Sequence, residues 1–131
     1  LAVLIDTDLL IDLERGDPAL ERLLGEEERA ISVITVSELL HGVLRARGEA
    51  RTRRQAFVEH LLAHLQAIPI TEQVARIHAD IWAGLAERGE PVGSHDLWIA
   101  ASAVAHGLGV ATRNDTHFRR IPGLRVLATA S

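Results

Sequence analysis

The sequence predicts an α/β domain with a mostly parallel central sheet of four or five short strands flanked by helices. Two observations carry this. Short continuous runs of aliphatic and β-branched residues alternate with longer segments of helical periodicity. The length of 131 residues suits a single domain spanning residues 1–131, large enough to hold a core without disulfides.

Leu1–Ile5 is an unbroken apolar run closed by Asp6, as expected of a strand buried on both faces. Asp8 to Arg15 carries Leu9, Leu10 and Leu13 at helical spacing, and Gly16 with Asp17-Pro18 stops it. Pro18 fits the first turn of a second helix reaching Leu24, with Glu26–Glu28 as its solvated end. Ala30–Ile34 is the second strand. Thr35 then opens a helix with Val36, Leu39, Leu40, Val43 and Leu44 on one face, broken by Gly48. A further helix covers Ala50 to Leu65, with Phe57, Leu61 and Leu62 apolar. Ala67–Ile70 is a brief strand whose Pro69 assigns it to an edge. Thr71–Arg88 is a long helix ended by Gly89, and Ser94–His106 an apolar one ended by Gly107. Leu108–Thr112 is the fourth strand, Thr112–Ile121 a polar loop or short helical turn, and Leu124–Leu127 the last strand. Parallel strands require right-handed crossovers, which places helices on both faces of the sheet.

Composition excludes several chemistries. There is no Cys, so thiolate zinc sites and Cys nucleophiles are absent. All 14 Lys-plus-Arg residues are Arg, which removes P-loop and Schiff-base mechanisms. The net charge of −4 means that any nucleic acid must be met by a local basic patch or through bound cations. No stretch approaches the roughly 20 apolar residues of a membrane span. The opening run lacks the charged start of a signal peptide, so a cytoplasmic location is expected.

Ligand sites of open parallel sheets form beyond the carboxyl ends of the strands. Asp6 and Asp8 follow the first strand, Glu38 lies in the helix after the second, Asp96 opens the helix before the fourth, and Asn114 and Asp115 follow the fourth. Each has a local structural explanation. Thr35-x-x-Glu38 matches a capping box, Asp96 complements a helix dipole, Asp6 is a candidate N-cap and Asp115 a turn residue. Their convergence on one sheet edge points further, because clustered carboxylates repel unless a cation compensates them. Oxygen ligands of this kind suit Mg²⁺, with Mn²⁺ as the alternative. Such a cation polarises a phosphoryl oxygen and activates water, which is the chemistry of phosphodiester hydrolysis.

Four blocks then resemble the PIN domain, specifically the VapC-like toxins of bacterial toxin–antitoxin pairs. They are Leu4-Ile5-Asp6-Thr7-Asp8-Leu9-Leu10, Thr35-Val36-Ser37-Glu38-Leu39-Leu40-His41-Gly42, His95-Asp96-Leu97-Trp98-Ile99-Ala100-Ala101 and Ala111-Thr112-Arg113-Asn114-Asp115-Thr116-His117-Phe118. The resemblance runs the length of the chain. It implies a Rossmann-like fold, a Mg²⁺-dependent endoribonuclease acting on RNA, a homodimer and a cognate antitoxin protein. It also implies metal binding by Asp6 and Asp96, with Glu38 holding a water on the metal or acting as base. The sequence departs from the family pattern at Asp8, an extra carboxylate, and at His117, where relatives place an acid. Asp115 is the expected fourth acid, with Asp8 as the alternative and Thr112 and Asn114 as supporting residues.

Arg113, Arg119 and Arg120 are the favoured RNA contacts because they are nearest the acids in sequence. The denser run Arg45, Arg47, Arg51, Arg53 and Arg54 reads first as a solvated helical corner and second as a phosphate contact. His60 and His64, four apart on a helix beside Leu61 and Leu62, read as a solvated helix face. Two alternatives compete. Asp6-Thr7-Asp8 matches the Asp-x-Asp of haloacid-dehalogenase-like phosphatases, but those need a Lys that this chain lacks. A non-catalytic PIN-like interaction module would have lost its acids, and here all but a clean fourth are present.

Overall fold

The computed structural model describes residues 2–129, and Leu1 of the expected first strand lies outside them. In chain order the elements are β1 (Ala2–Ile5), α1 (Thr7–Glu14), α2 (Ala19–Leu24), β2 (Glu28–Ser32), α3 (Val33–Arg45) and α4 (Gly48–His64). They continue as β3 (Gln66–Ile68), α5 (Glu72–Arg88), α6 (Ser94–His106), β4 (Gly109–Thr112), a 3₁₀ turn (Phe118–Arg120) and β5 (Val126–Ala128). The strands form one five-stranded sheet in the order β3-β2-β1-β4-β5, and every pairing is parallel.

Strand alternation sorts the apolar residues into two cores. Val3 and Ile5 of β1, with Ile31 and Ala111, face a layer built from Leu9, Leu10, Leu20, Leu24, Leu39, Val43, Val58 and Leu61. Leu4, Ala30, Ile68 and Val110 face the opposite layer, where Leu85 of α5, Leu97, Ile99, Ala100 and Ala103 of α6, and Phe118 pack. The two-residue period of a strand therefore gives each inner strand a core on either side, which is why β1 and β4 tolerate no charged residue. Gly89 and Gly107 end α5 and α6 in the left-handed conformation, at φ 65° and 66°.

Several boundaries differ from expectation, β3 (Gln66–Ile68) and β5 (Val126–Ala128) by one or two residues and others by more consequential shifts. Glu28 begins β2 instead of closing α2, because the backbone of Ala2 pairs in register with it. Glu27 beside it accepts Arg125 at 3.1 Å, tying the segment to the β4–β5 edge. β2 ends at Ser32, two residues early, because the Ser32 hydroxyl caps α3 by accepting from the Ile34 N–H at 3.0 Å. Thr35 is thus inside α3 and fully buried, not its cap. That removes the capping-box explanation for Glu38. The interruption after α3 falls at Ala46–Arg47, and Gly48 opens α4. β3 is an edge strand, as Pro69 implied, with Pro69 itself just beyond it.

Among the described residues, no helix is long and apolar enough to cross a membrane. Trp98 stacks on the buried His78 ring at 3.6 Å between centroids, whereas Trp82 remains 61% exposed on α5.

Candidate metal centre

Sequential strands run outward from β1 to β2 to β3, and the chain then crosses back to place β4 on the other side of β1. The crevice between the carboxyl ends of β1 and β4 is consequently a topological switch point. Asp6 occupies it. Its N–H donates to the Ala111 carbonyl at 2.8 Å, continuing the β1–β4 pairing by one residue. Its carboxylate accepts from the Thr7 N–H at 2.8 Å, as the N-cap of α1, and from the Thr112 hydroxyl at 2.8 Å. Capping and site roles coexist in this one residue.

Thr7 links Asp6 to the next acid. Its hydroxyl lies 2.7 Å from Glu38 Oε1, to which it donates, and 3.2 Å from the Thr35 hydroxyl. The other Glu38 oxygen stands 3.3 Å from His95 Nδ1. Next in sequence, Asp96 sits in the first turn of α6 and meets His117 Nδ1 at 3.4 Å. Asp6, Glu38 and Asp96 thus gather at one end of the sheet: Thr7 bridges Asp6 and Glu38, the charge of Asp96 raises the Asp6 carboxyl, and an imidazole flanks each of Glu38 and Asp96. Glu38 and Asp96 keep 29% and 33% of their side-chain surface exposed, so both are open to a ligand.

The fourth segment behaves differently. The exposed Asp115 carboxylate is paired with Arg119, whose guanidinium holds it below the usual carboxylate range. It has no hydrogen bond to the other acids. Thr112 instead connects this segment to the site, because its hydroxyl also accepts from the Asn114 N–H at 3.1 Å. Asp8 accepts the Arg113 N–H at 3.3 Å, and Asp12 takes the Arg113 guanidinium at 2.7 Å. Arg120 donates to the Pro91 carbonyl. All three arginines favoured from sequence are therefore engaged in holding the loop. The long-range partners Asp8, Asp12 and Pro91 are invisible to a reading based on sequence proximity. Thr7, His95 and His117 were undervalued for the same reason: their contacts to the acids join separate segments.

Burial, and then the negative charges of Asp8 and Asp96, push the Asp6 carboxyl up to about 7 against the lowering hydrogen bonds of Thr112 and Thr7. Asp8 is raised too, chiefly by burial. A divalent cation is the natural counter-charge for such a group. The donors are all hard oxygens, which fits Mg²⁺ or Mn²⁺. Among the described residues, no group of three or more acidic or imidazole side chains is arranged to hold a metal ion, so the protein's share of the ligands would be one or two carboxylates.

The raised Asp6 carboxyl has a consequence for stability. Between pH 3.8 and about 7 the folded metal-free protein retains a proton that the unfolded chain has released. Its contribution is full below pH 3.8 and is lost as pH rises through about 7. Asp6→Asn should flatten this dependence and stabilise the metal-free protein at pH 8, by on the order of 3 kcal/mol. Urea unfolding of both proteins in chelator at pH 5 and pH 8 checks it; parallel pH dependences would contradict it.

A family model described as PIN domain matches residues 3–124 of this chain. The chain is 34% identical over 132 residues to a Rickettsia felis protein named Ribonuclease VapC1, covering all of this chain and 98% of that one. It is 36% identical over 129 residues to a Salmonella typhimurium protein named tRNA(fMet)-specific endonuclease VapC, covering 96% of each. Its fold is similar to a chain in the crystal structure of DNA-bound VapBC from Salmonella typhimurium, with a TM-score of 0.86, 36% identity and 96% of each chain covered.

Proposed function

The chain belongs to the PIN domain family, and from that premise we propose that it is a divalent-metal-dependent endoribonuclease, the toxin of a toxin–antitoxin pair. The observation that supports this most is the gathering of Asp6, Glu38 and Asp96 at the β1–β4 switch point, with Asp6 buried among like charges. Asp6 and Asp96 would hold Mg²⁺ or Mn²⁺, which when bound polarises a phosphodiester and acidifies water.

The chain's own groups supply the rest. Glu38 accepts the proton of the attacking water at Oε2, the oxygen that faces His95 rather than Thr7. The Thr7 hydroxyl fixes the orientation of that carboxylate. Thr112 holds Asp6 and orders the loop at Asn114, and we assign the fourth segment's role to these two rather than to Asp115. Hydrolysis divides the strand into one end bearing the phosphate and one bearing a hydroxyl.

The partners follow from the same reading. An apolar groove lined by Leu10, Ile11, Leu39, Phe57 and Val58 ends at Glu38, and it suits an amphipathic antitoxin segment whose basic side chain reaches the acids. Trp82 on α5 offers exposed apolar surface for a homodimer. We place the protein in the cytoplasm, with its RNA substrate.

Because one relative is named a tRNA(fMet)-specific endonuclease, unfractionated tRNA is the first substrate to test. Cleavage should appear with Mg²⁺, stop in excess EDTA and return with Mn²⁺. Equal cleavage in EDTA would contradict the metal dependence.

A further inference from the structure

The arginines nearest the acids in sequence already pair with Asp8, Asp12 and Asp115 or bond to Pro91, so cations without an acidic partner are the stronger candidates for the substrate's other phosphates. One lies on the far side of Glu38. Successive turns of α3 place Glu38, His41 and Arg45 along one face, and these three line an open groove of about 370 Å³ with Thr7 and His95. The volume is within the range of small-molecule sites. Arg45 lies two turns from Glu38, roughly 10 Å along the helix.

The groove leads to the corner between α3 and α4. From Arg45 to Arg54 the sequence has five arginines and one acid, Glu49. Arg53 pairs with Glu49 and Arg54 with Glu14. Arg45, Arg47 and Arg51 are exposed and make no ion pair among the described residues. Arg47 and Arg51 are one turn apart, joined by the Arg51 N–H donating to the Arg47 carbonyl. On a chain of net charge −4, this corner is a concentration of uncompensated positive charge, and Arg45 joins it to the groove that holds Glu38.

We propose that the α3–α4 corner, through Arg45, Arg47 and Arg51, is the phosphate-binding track that carries the RNA backbone to Glu38. The assignment rests on the ribonuclease reading and adds the direction in which the substrate lies. At roughly 10 Å from Glu38, Arg45 holds a phosphate flanking the scissile one, so it positions the strand and takes no part in bond breaking. An acidic protein segment is the competing occupant. Continuity of the groove with Thr7, Glu38 and His95 favours the strand that must be cut there.

The test uses full-length protein carrying Asp96→Asn, so that RNA is bound without being cut. Binding of end-labelled unfractionated tRNA is measured across a salt series for this protein, for Arg45→Gln/Arg51→Gln in the same background, and for Arg22→Gln/Arg76→Gln as a control. Both doubles remove the same charge, the second on α2 and α5. Each phosphate contact contributes about 0.7–0.9 to the slope of log affinity against log salt. The corner variant should bind roughly tenfold more weakly at moderate salt, with a slope lower by about 1.5, while the control changes less than about twofold. Equal losses in the two doubles, or none in the corner variant, overturn the track and leave the ribonuclease reading standing. No tRNA binding by the Asp96→Asn protein, together with no cleavage by the parent, overturns both.

Discussion

Asp96→Asn is expected to slow RNA cleavage by about a thousandfold in Mg²⁺, since several kcal/mol of charge stabilisation depend on the cation it helps hold. The substitution is nearly isosteric and the side chain is one-third exposed, so the fold should survive. An Asn oxygen can still meet His117, and loss of the charge at the start of α6 costs only about 0.3–1 kcal/mol of stability. Single-turnover cleavage of tRNA, with thermal melting to check the fold, separates the two roles of this residue. A loss below about tenfold would leave Asp96 as a helix-terminal charge and nothing more.

Glu38→Gln should cost about a hundredfold or more, the usual range for removing a positioned proton acceptor. The Thr7 hydroxyl can donate to the Gln carbonyl as it does to Glu38 Oε1, so the side chain should keep its place while losing its basicity. No cap is lost, because Ser32 and not Thr35 closes the start of α3. Comparison of single-turnover rates with the melting curve distinguishes a lost base from a loosened helix. A variant that cuts at the parent rate would remove Glu38 from the chemistry.

The fold was legible because its signals are local. Unbroken apolar runs marked β1 and β4, and the glycines at 89 and 107 marked two helix ends. Boundaries decided by long-range partners were not. Glu28 is a strand residue because β1 lies beside it, and Ser32 rather than Thr35 caps α3 although either hydroxyl is locally suitable.

The site divides in the same way. Asp6, Glu38 and Asp96 could be placed at one edge from their positions relative to strands and helices. The threonine and histidine contacts that join them could not, since Thr7 meets Glu38 across 31 residues and Thr112 meets Asp6 across 106. Arg113 shows the converse. Proximity in sequence made it a phosphate ligand, and in space Asp12 holds it. Three of the exposed arginines without an ion pair among the described residues lie on the α3–α4 corner, which sequence alone could not distinguish from any solvated helix end.

The most direct measurement is Mn²⁺ binding to the metal-free protein at neutral pH, followed through the EPR signal of the free ion. The parent should take up one Mn²⁺ at a site weakened at least about tenfold in both Asp6→Asn and Asp96→Asn. Affinity that is the same in all three proteins would show that these carboxylates do not hold the ion, and the metal centre would have to be sought elsewhere.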